Sequence, residues 1–334
     1  MKRQWQRMTA ALLLMLALAV QACAAMPETL VPVGSAIGIE LLADGVYVTG
    51  FAETGGKKTS AERAGLKAGD RISKVDGTQI EKTEELTRTI SQHGGESLRM
   101  TVLRNGREMT FTVRPEQTAE GWKMGAYVRD SIAGIGTVTF YDPESNLYGA
   151  LGHGVNDSAT AEPLHMRSGV ARDARVVDVV KGKRGTPGQL KGAFSQTGVL
   201  ATVERNTSRG IFGTACTDLW DARAIPVAAQ DEVRTGKAEI LSTVSGQTVQ
   251  RYEVRILELH PEEENGRNLL LEVTDPALLA KTGGIVQGMS GSPIIQDGKL
   301  VGAVTHVLVR DPKRGYGVFI QHMLDSSGAS EEAA

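Results

Sequence analysis

The chain has 334 residues, room for about two domains at roughly 150 residues each, and its 41% hydrophobic and 23% charged residues are ordinary for a globular protein. A formal net charge of −2 gives no basic footprint for a nucleic-acid partner, and the two cysteines, Cys23 and Cys216, sit in no zinc-ligand spacing with the histidines. Thirty-nine glycines against 4% aromatics favour short strands and turns over long helices.

Residues 1–24 have the layout of an export signal. Lys2, Arg3 and Arg7 precede an apolar stretch, Met8 to Val20, of 13 residues. That is short of the ~20 residues a bilayer span needs. Ala22-Cys23-Ala24 offers small residues for cleavage. An uncleaved anchor and a lipidated Cys23 stay open, although Gln21 spoils the lipoprotein pattern. Cleavage takes the formal charge from −2 to −5 and leaves Cys216 without an intramolecular disulfide partner. Its setting, Phe212-Gly213-Thr214-Ala215-Cys216, is expected to bury it as a small hydrophobe.

A short linker with Pro27 and Pro32 follows. From Ser35 to Pro115 the pattern is short strands and one amphipathic helix. Ile37 to Leu41 and Gly45 to Gly50 read as two strands. Ser60 is placed to cap a helical turn that Gly65 ends. Asp70 to Val75 leads into an Asp76-Gly77 turn. Thr83 to Gln92 carries Leu86 and Ile90 at helical spacing on one face. Leu98–Val102 and Met109–Val113 flank an Asn105-Gly106 hairpin turn.

The run Ala64-Gly65-Leu66-Lys67-Ala68-Gly69-Asp70-Arg71-Ile72, with Val75-Asp76-Gly77 after it, resembles PDZ domains of the bacterial protease-associated type. The resemblance implies a PDZ domain over 35–115 that adds an extended peptide or C-terminus to a sheet edge. It places the peptide-binding residues at Ile37, Gly38 and Ile39. A covered groove that serves only as a spacer is the competing expectation.

Residues 116–130 are expected to be a linker. From 131 to 325 the pattern is again mostly β. Gly134 to Phe140 alternates, and Val199–Val203, Glu239–Val244 and Gln250–Ile256 read as further strands. Such a segment suits a double β-barrel or a large sandwich. Residues 326–334 read as a polar tail.

The chemistry concentrates in Gln287-Gly288-Met289-Ser290-Gly291-Ser292-Pro293, followed by two strands. A small-residue turn puts Ser290 where backbone N–H groups can converge beside its hydroxyl. Acyl transfer needs such donors, because charge builds on the carbonyl oxygen. The run resembles the nucleophile segment of chymotrypsin-like serine proteases, with Gly315 to Ile320 as the closing strand. Ser290 also needs a base and a group that orients the base. His153, between glycines at the end of Tyr148-Gly149-Ala150-Leu151-Gly152, is the leading base. His306, 16 residues after Ser290, is its rival, or else a cleft-lining or core histidine. For the acid, Asp275, Asp178, Asp218 and Asp221 all stay open. Asp275 before Pro276, with Gly283-Gly284 beyond, also reads as a helix N-cap.

Taken together, the signal segment, the PDZ motif, Gly149 to Gly154, Asn206 to Gly213 and Thr282 to Pro293, in that order, resemble the S55 serine peptidase family of stage IV sporulation protein B. The resemblance covers about residues 30–325 and implies a PDZ domain followed by a chymotrypsin-like double β-barrel. It implies a triad of His153, Asp275 and Ser290, with Gly288 and Ser290 supplying the oxyanion hole and no metal or cofactor. An acid only 15 residues before the serine departs from the ordinary chymotrypsin-like layout. The implied role is an exported endopeptidase, working in the forespore intermembrane space. It cleaves a membrane-bound regulator of an intramembrane protease, and itself, and so leads to activation of a late sigma factor. A PDZ-bound peptide and self-association are the other partners. A silent PDZ and protease-like scaffold, or an esterase on the same triad, are the alternatives.

Overall fold

The computed structural model describes residues 26–53, 55–157, 160–216, 220, 222–263 and 265–328. The export segment expected at 1–24 lies outside them. Two strands, β1 (Thr29–Pro32) and β2 (Ala36–Phe51), open the chain. Strand β2 is one continuous element where two strands are expected from the sequence. Its first half is buried, and its register slips between Leu42 and Tyr47, around Asp44 and Gly45. The slip is a bulge, which bends a strand without ending it.

The second half of β2 enters a small domain. This holds helix α1 (Ser60–Ala64), strands β3 (Arg71–Val75) and β4 (Thr78–Gln79), helix α2 (Thr83–His93), and the hairpin β5 (Leu98–Arg104) and β6 (Arg107–Val113). The cap of α1 is Thr59 rather than Ser60. Its hydroxyl accepts from Glu62 N–H while the Glu62 carboxylate accepts from Thr59 N–H. That reciprocal pair fixes the helix start. The Ser60 hydroxyl donates instead to the Met124 carbonyl. Leu86 and Ile90 of α2 join Val48, Leu98, Met100 and Val113 in the core of this domain. Asp70, fully buried, accepts two bonds from Arg104.

Residues 116–130 are not a linker. They form a hairpin, β7 (Glu116–Thr118) and β8 (Gly121–Lys123), and then the start of β9 (Ala126–Tyr141). Strand β9 pairs with β2 along its whole inner length: Ala126 to Arg129 lie against Phe51 to Tyr47, and Ser131 to Thr137 against Leu42 to Ala36. The small domain is therefore inserted between two strands of a barrel and joined to it by a two-stranded ribbon. Residues 29–42 belong to the barrel. The expected boundaries of 35–115 and 131–325 cut across both strands.

The first barrel is completed by β10 (Leu147–Ala150), β11 (Met166–Val180), β12 (Gln189–Val203), β13 (Arg205–Thr207) and β14 (Gly210–Thr214), with β15 (Ile225–Pro226) pairing back to β1. It remains an open half-barrel. The second is a closed antiparallel barrel in the order β16 (Gly236–Ser242), β17 (Gln250–Leu259), β18 (Leu269–Val273), β21 (Arg314–Phe319), β20 (Lys299–Val307), β19 (Pro293–Gln296). Helix α3 (Pro276–Thr282) links β18 to the serine turn, and α4 (Ile320–Ser327) follows β21. That last helix takes in residues expected in the polar tail. Each barrel has its own apolar core, and Leu30, Phe140, Phe212, Leu300 and Met323 pack together in a further cluster with α4. Burial of such side chains stabilises by roughly 1.5–3 kcal/mol each. Cys216 is exposed, because it lies beyond the buried strand β14.

Candidate active site

The turn carrying Ser290 is held plane by plane. The Gln287 carbonyl accepts from Leu190 N–H at 2.8 Å, and Met289 N–H donates to the Val286 carbonyl at 3.1 Å. The Gly288 carbonyl accepts from the Thr137 hydroxyl at 2.8 Å. The Ser290 carbonyl accepts from Thr137 N–H at 3.0 Å, and Gly291 N–H donates to Val304 O at 2.8 Å. Among the described residues, the N–H groups of Gly288 and Ser290 have no acceptor. These two donors flank Met289, and a pair of free backbone donors beside a serine hydroxyl is what binding an oxyanion requires. Gly291 is demanded by both conformation and space. Its φ is 95°, and an added Cβ would meet the Thr137 carbonyl at 2.0 Å.

His153 comes from a second tight turn. Gly152 N–H donates to Ala150 O at 2.9 Å, closing a γ-turn around Leu151, whose φ is 71°. This backbone is strained for a leucine, and such strain clusters at functional sites. Leu151 N–H is tied to the Thr137 carbonyl at 3.2 Å. His153 Nδ1 lies 2.8 Å from the carbonyl of Gly154. A carbonyl can only accept, so in the neutral ring Nδ1 carries the proton and Nε2 keeps the lone pair. Burial pushes the pKa of His153 below the ordinary 6.5, against the smaller opposing effect of that hydrogen bond.

His153, Gly288, Ser290 and His306 line one cleft of about 560 Å³, whose walls include Ile135, Leu151, Val286 and Val307. The rings of His153 and His306 are 5.0 Å apart between centroids and tilted by 35°. Partial burial, then His153 and Arg267, push His306 down to about 4, so both rings are neutral near pH 7. The Ser290 hydroxyl donates to the Thr305 carbonyl at 2.7 Å.

Asp275 is not brought to this cleft. It is the N-cap of α3: one carboxylate oxygen accepts from Leu278 N–H at 2.9 Å and the other from Glu253 N–H at 3.4 Å. The cap reading of Asp275-Pro276 prevails over the triad role, because these two main-chain bonds set the carboxylate at the start of the helix. Asp178 is exposed on β11 and pairs with Lys191 at 3.4 Å. Asp218 and Asp221 lie outside the described residues. No Asp or Glu lines the cleft among the described residues. Thr137 and the Gly154 carbonyl are the functional groups that the sequence alone did not single out. The one signal for Thr137 is the small-residue run Gly134-Ile135-Gly136 before it, where Gly136 lets Leu151 approach.

The expected peptide-binding residues also need correction. Ile37, Gly38 and Ile39 pair with β9 on one side and with β11 on the other. They are buried in the first barrel, so neither edge is open to a peptide. The groove of the small domain lies elsewhere. It has a volume of about 580 Å³, with Leu86, Thr87 and Ile90 of α2 on one side and Ala126, Tyr127 and Val128 of β9 on the other. Over Ala126–Arg129, the one strand partner of β9 among the described residues is β2, and its other edge faces α2. Trp122 of β8 closes an end and packs over Gly94 and Gly95.

Residues 120–324 match the family model described as SpoIVB peptidase S55, and residues 51–104 match a PDZ domain model. The chain is 34% identical over 98 residues to the zinc metalloprotease RasP of Geobacillus kaustophilus, covering 29% of this chain and 21% of that protein. It is 36% identical over 76 residues to the serine protease Do-like HtrA of Lactobacillus helveticus, covering 22% of this chain and 17% of that protein. The chain thus spans about a fifth of the length of these curated relatives. Among solved structures, it is similar to the active form of Rv3671c protease from M. tuberculosis, at 15% identity and a TM-score of 0.35, covering 59% of this chain and 74% of that one. It is also similar to the PDZ domain of the SdrC-like protein from Listeria monocytogenes, at 20% identity and a TM-score of 0.23, covering 25% and 87%.

Proposed function

The chain belongs to the SpoIVB peptidase S55 family, and from that premise we propose that it is a serine endopeptidase in which Ser290 is the nucleophile and His153 the general base. The observation that carries the proposal is the shared cleft: a serine on a turn whose two N–H donors have no acceptor among the described residues lines the same cleft as a histidine whose Nδ1 is already occupied. Ser290 Oγ leaves the Thr305 carbonyl, gives its proton to His153 Nε2 and attacks the scissile carbonyl. The N–H groups of Gly288 and Ser290 receive the oxyanion. His153 then passes the proton to the leaving amine, and water releases the acyl group by the reverse sequence. The Gly154 carbonyl fills the orienting role that a carboxylate has in the usual triad. The apolar walls of the cleft favour an apolar side chain beside the scissile bond.

The test is a fluorophosphonate probe with intact-mass readout. Wild type labels once, and Ser290→Ala and His153→Ala do not. Labelling that survives Ser290→Ala identifies a different nucleophile. A wild type that never labels supports the peptide-binding scaffold.

Family membership further supports an exported enzyme that cleaves a membrane-associated regulator, and itself, in sporulation signalling, and so releases an intramembrane protease that processes a late sigma factor. Its PDZ groove would take an extended peptide or C-terminus. A spore-forming host that lacks its own peptidase of this family should regain sigma-factor processing with this chain and not with Ser290→Ala. Equal failure of both in cells, beside normal labelling of wild type in solution, would restrict the proposal to peptidase activity.

A further inference from the structure

One residue hydrogen-bonds through its main chain and side chain to both catalytic turns, and it is neither Ser290 nor His153. Thr137 is fully buried in β9 and makes three hydrogen bonds to the two turns. Its hydroxyl donates to Gly288 O at 2.8 Å, its N–H donates to Ser290 O at 3.0 Å, and its carbonyl accepts from Leu151 N–H at 3.2 Å. The first two hold the serine turn and the third holds the γ-turn before His153. We propose that Thr137 is the positioning residue of this site, and that its hydroxyl holds the Gly288–Met289 peptide plane, which lies between the planes that carry the Gly288 and Ser290 N–H groups and so sets the angle between the two donors. This rests on the peptidase reading given above.

The physical reason lies in Gly288. With φ at 97° and no Cβ, it has unusual freedom to rotate. Its own N–H has no acceptor among the described residues. That N–H lies in the preceding peptide plane, whose Gln287 carbonyl is held by Leu190 N–H, so rotation of the Gly288–Met289 plane would splay the two donors apart rather than reverse one of them. The Gly288–Met289 plane is fixed at its two ends by different partners, Met289 N–H on Val286 and Gly288 O on Thr137 Oγ1. The second of these is a side-chain bond, so a substitution can remove it without altering the main chain. The backbone bonds of Thr137 depend on β9 itself and survive any replacement that keeps the strand. A β-branched residue suits a strand, so valine preserves shape and pairing while deleting the donor.

The experiment compares wild type, Thr137→Val and Thr137→Ser as full chains. It reads the maximal labelling rate and half-saturating concentration of a fluorophosphonate, the melting temperature, and hydrogen exchange of the bonded amides of Met289, Gly291 and Ser292. Losing one oxyanion donor costs on the order of 100- to 1000-fold in rate, and loosening it rather than deleting it should cost roughly 10- to 100-fold. The expected result for Thr137→Val is a fall of that size in maximal rate, little change in half-saturation, and faster exchange confined to the serine turn. Thr137→Ser should recover to within about threefold. Labelling of Thr137→Val at the wild-type rate would overturn the proposal, as would equal losses in Val and Ser with a lowered melting temperature. If wild type itself does not label, the peptidase reading fails. Exchange still decides Thr137 in that case: unchanged rates in Thr137→Val refute the clamp, and faster rates support it.

Discussion

Arg129 of β9 holds Asp157 at 2.7 Å, and this contact joins the strand that edges the PDZ groove to the loop that follows His153. The Asp157 side chain is 3% exposed and that of Arg129 30%. Asp157 also accepts from Thr160 N–H at 3.1 Å, so it organises its loop as well as meeting the guanidinium. Removing one partner of a largely buried pair costs about 3–5 kcal/mol, because the other charge stays desolvated. Arg129→Ala should therefore lower the unfolding free energy by roughly 2–4 kcal/mol in denaturant, the smaller end reflecting the partial exposure of Arg129. It should also slow labelling of Ser290 through the His153 loop. A loss under about 0.5 kcal/mol, the range of an ordinary surface change, would show that the pair is not structural.

The acid limb of the pH profile follows from His153. A general base must be neutral, and burial favours the neutral ring, so its pKa lies below 6.5. Labelling should hold as pH falls through 6.5 and be lost only below it. His306, at about 4, stays neutral through most of that range and adds no charge beside the base. A midpoint of labelling rate at or above 6.5 would contradict a desolvated base.

Asp275→Ala separates a cap from a triad acid. Loss of an N-cap costs about 1 kcal/mol of stability, whereas loss of a triad carboxylate costs about 10⁴ in rate. The expected outcome is a small drop in melting temperature with labelling within about threefold of wild type. A thousandfold loss of labelling with the fold intact would restore Asp275 to the mechanism.

The PDZ groove can be blocked without disturbing its core. Thr87 is an exposed position of α2 facing the groove, next to buried Leu86. Thr87→Trp should weaken capture of extended peptides with apolar C-termini by more than tenfold in fluorescence anisotropy, with an unchanged melting temperature. Substitution at Ile39, inside the barrel, should lower the melting temperature instead. Equal binding by wild type and Thr87→Trp would move the peptide site away from the α2–β9 groove.

Much was legible in the chain itself. The Asn105-Gly106 hairpin, the helix with Leu86 and Ile90, the helix after Asp275-Pro276 and the glycine-flanked turns at His153 and Ser290 are all set by local chemistry: φ above zero, capping oxygens and short-range periodicity. Tertiary structure decided which strand edges meet. Ile37-Gly38-Ile39 has the same alternation whether one face meets a peptide or both edges meet β9 and β11, because side-chain pattern reports faces and not edges. For the same reason the sequence divided β2 and β9 at the turn-like residues near Asp44 and in 116–130, where the folded chain carries both strands through. The fate of Asp275 was likewise non-local: a cap and a catalytic carboxylate need the same residue, and only the fold fixes which N–H groups or ring nitrogen it can reach. Thr137 shows the limit most plainly, since a threonine within a strand gains its role only when two distant turns close over it.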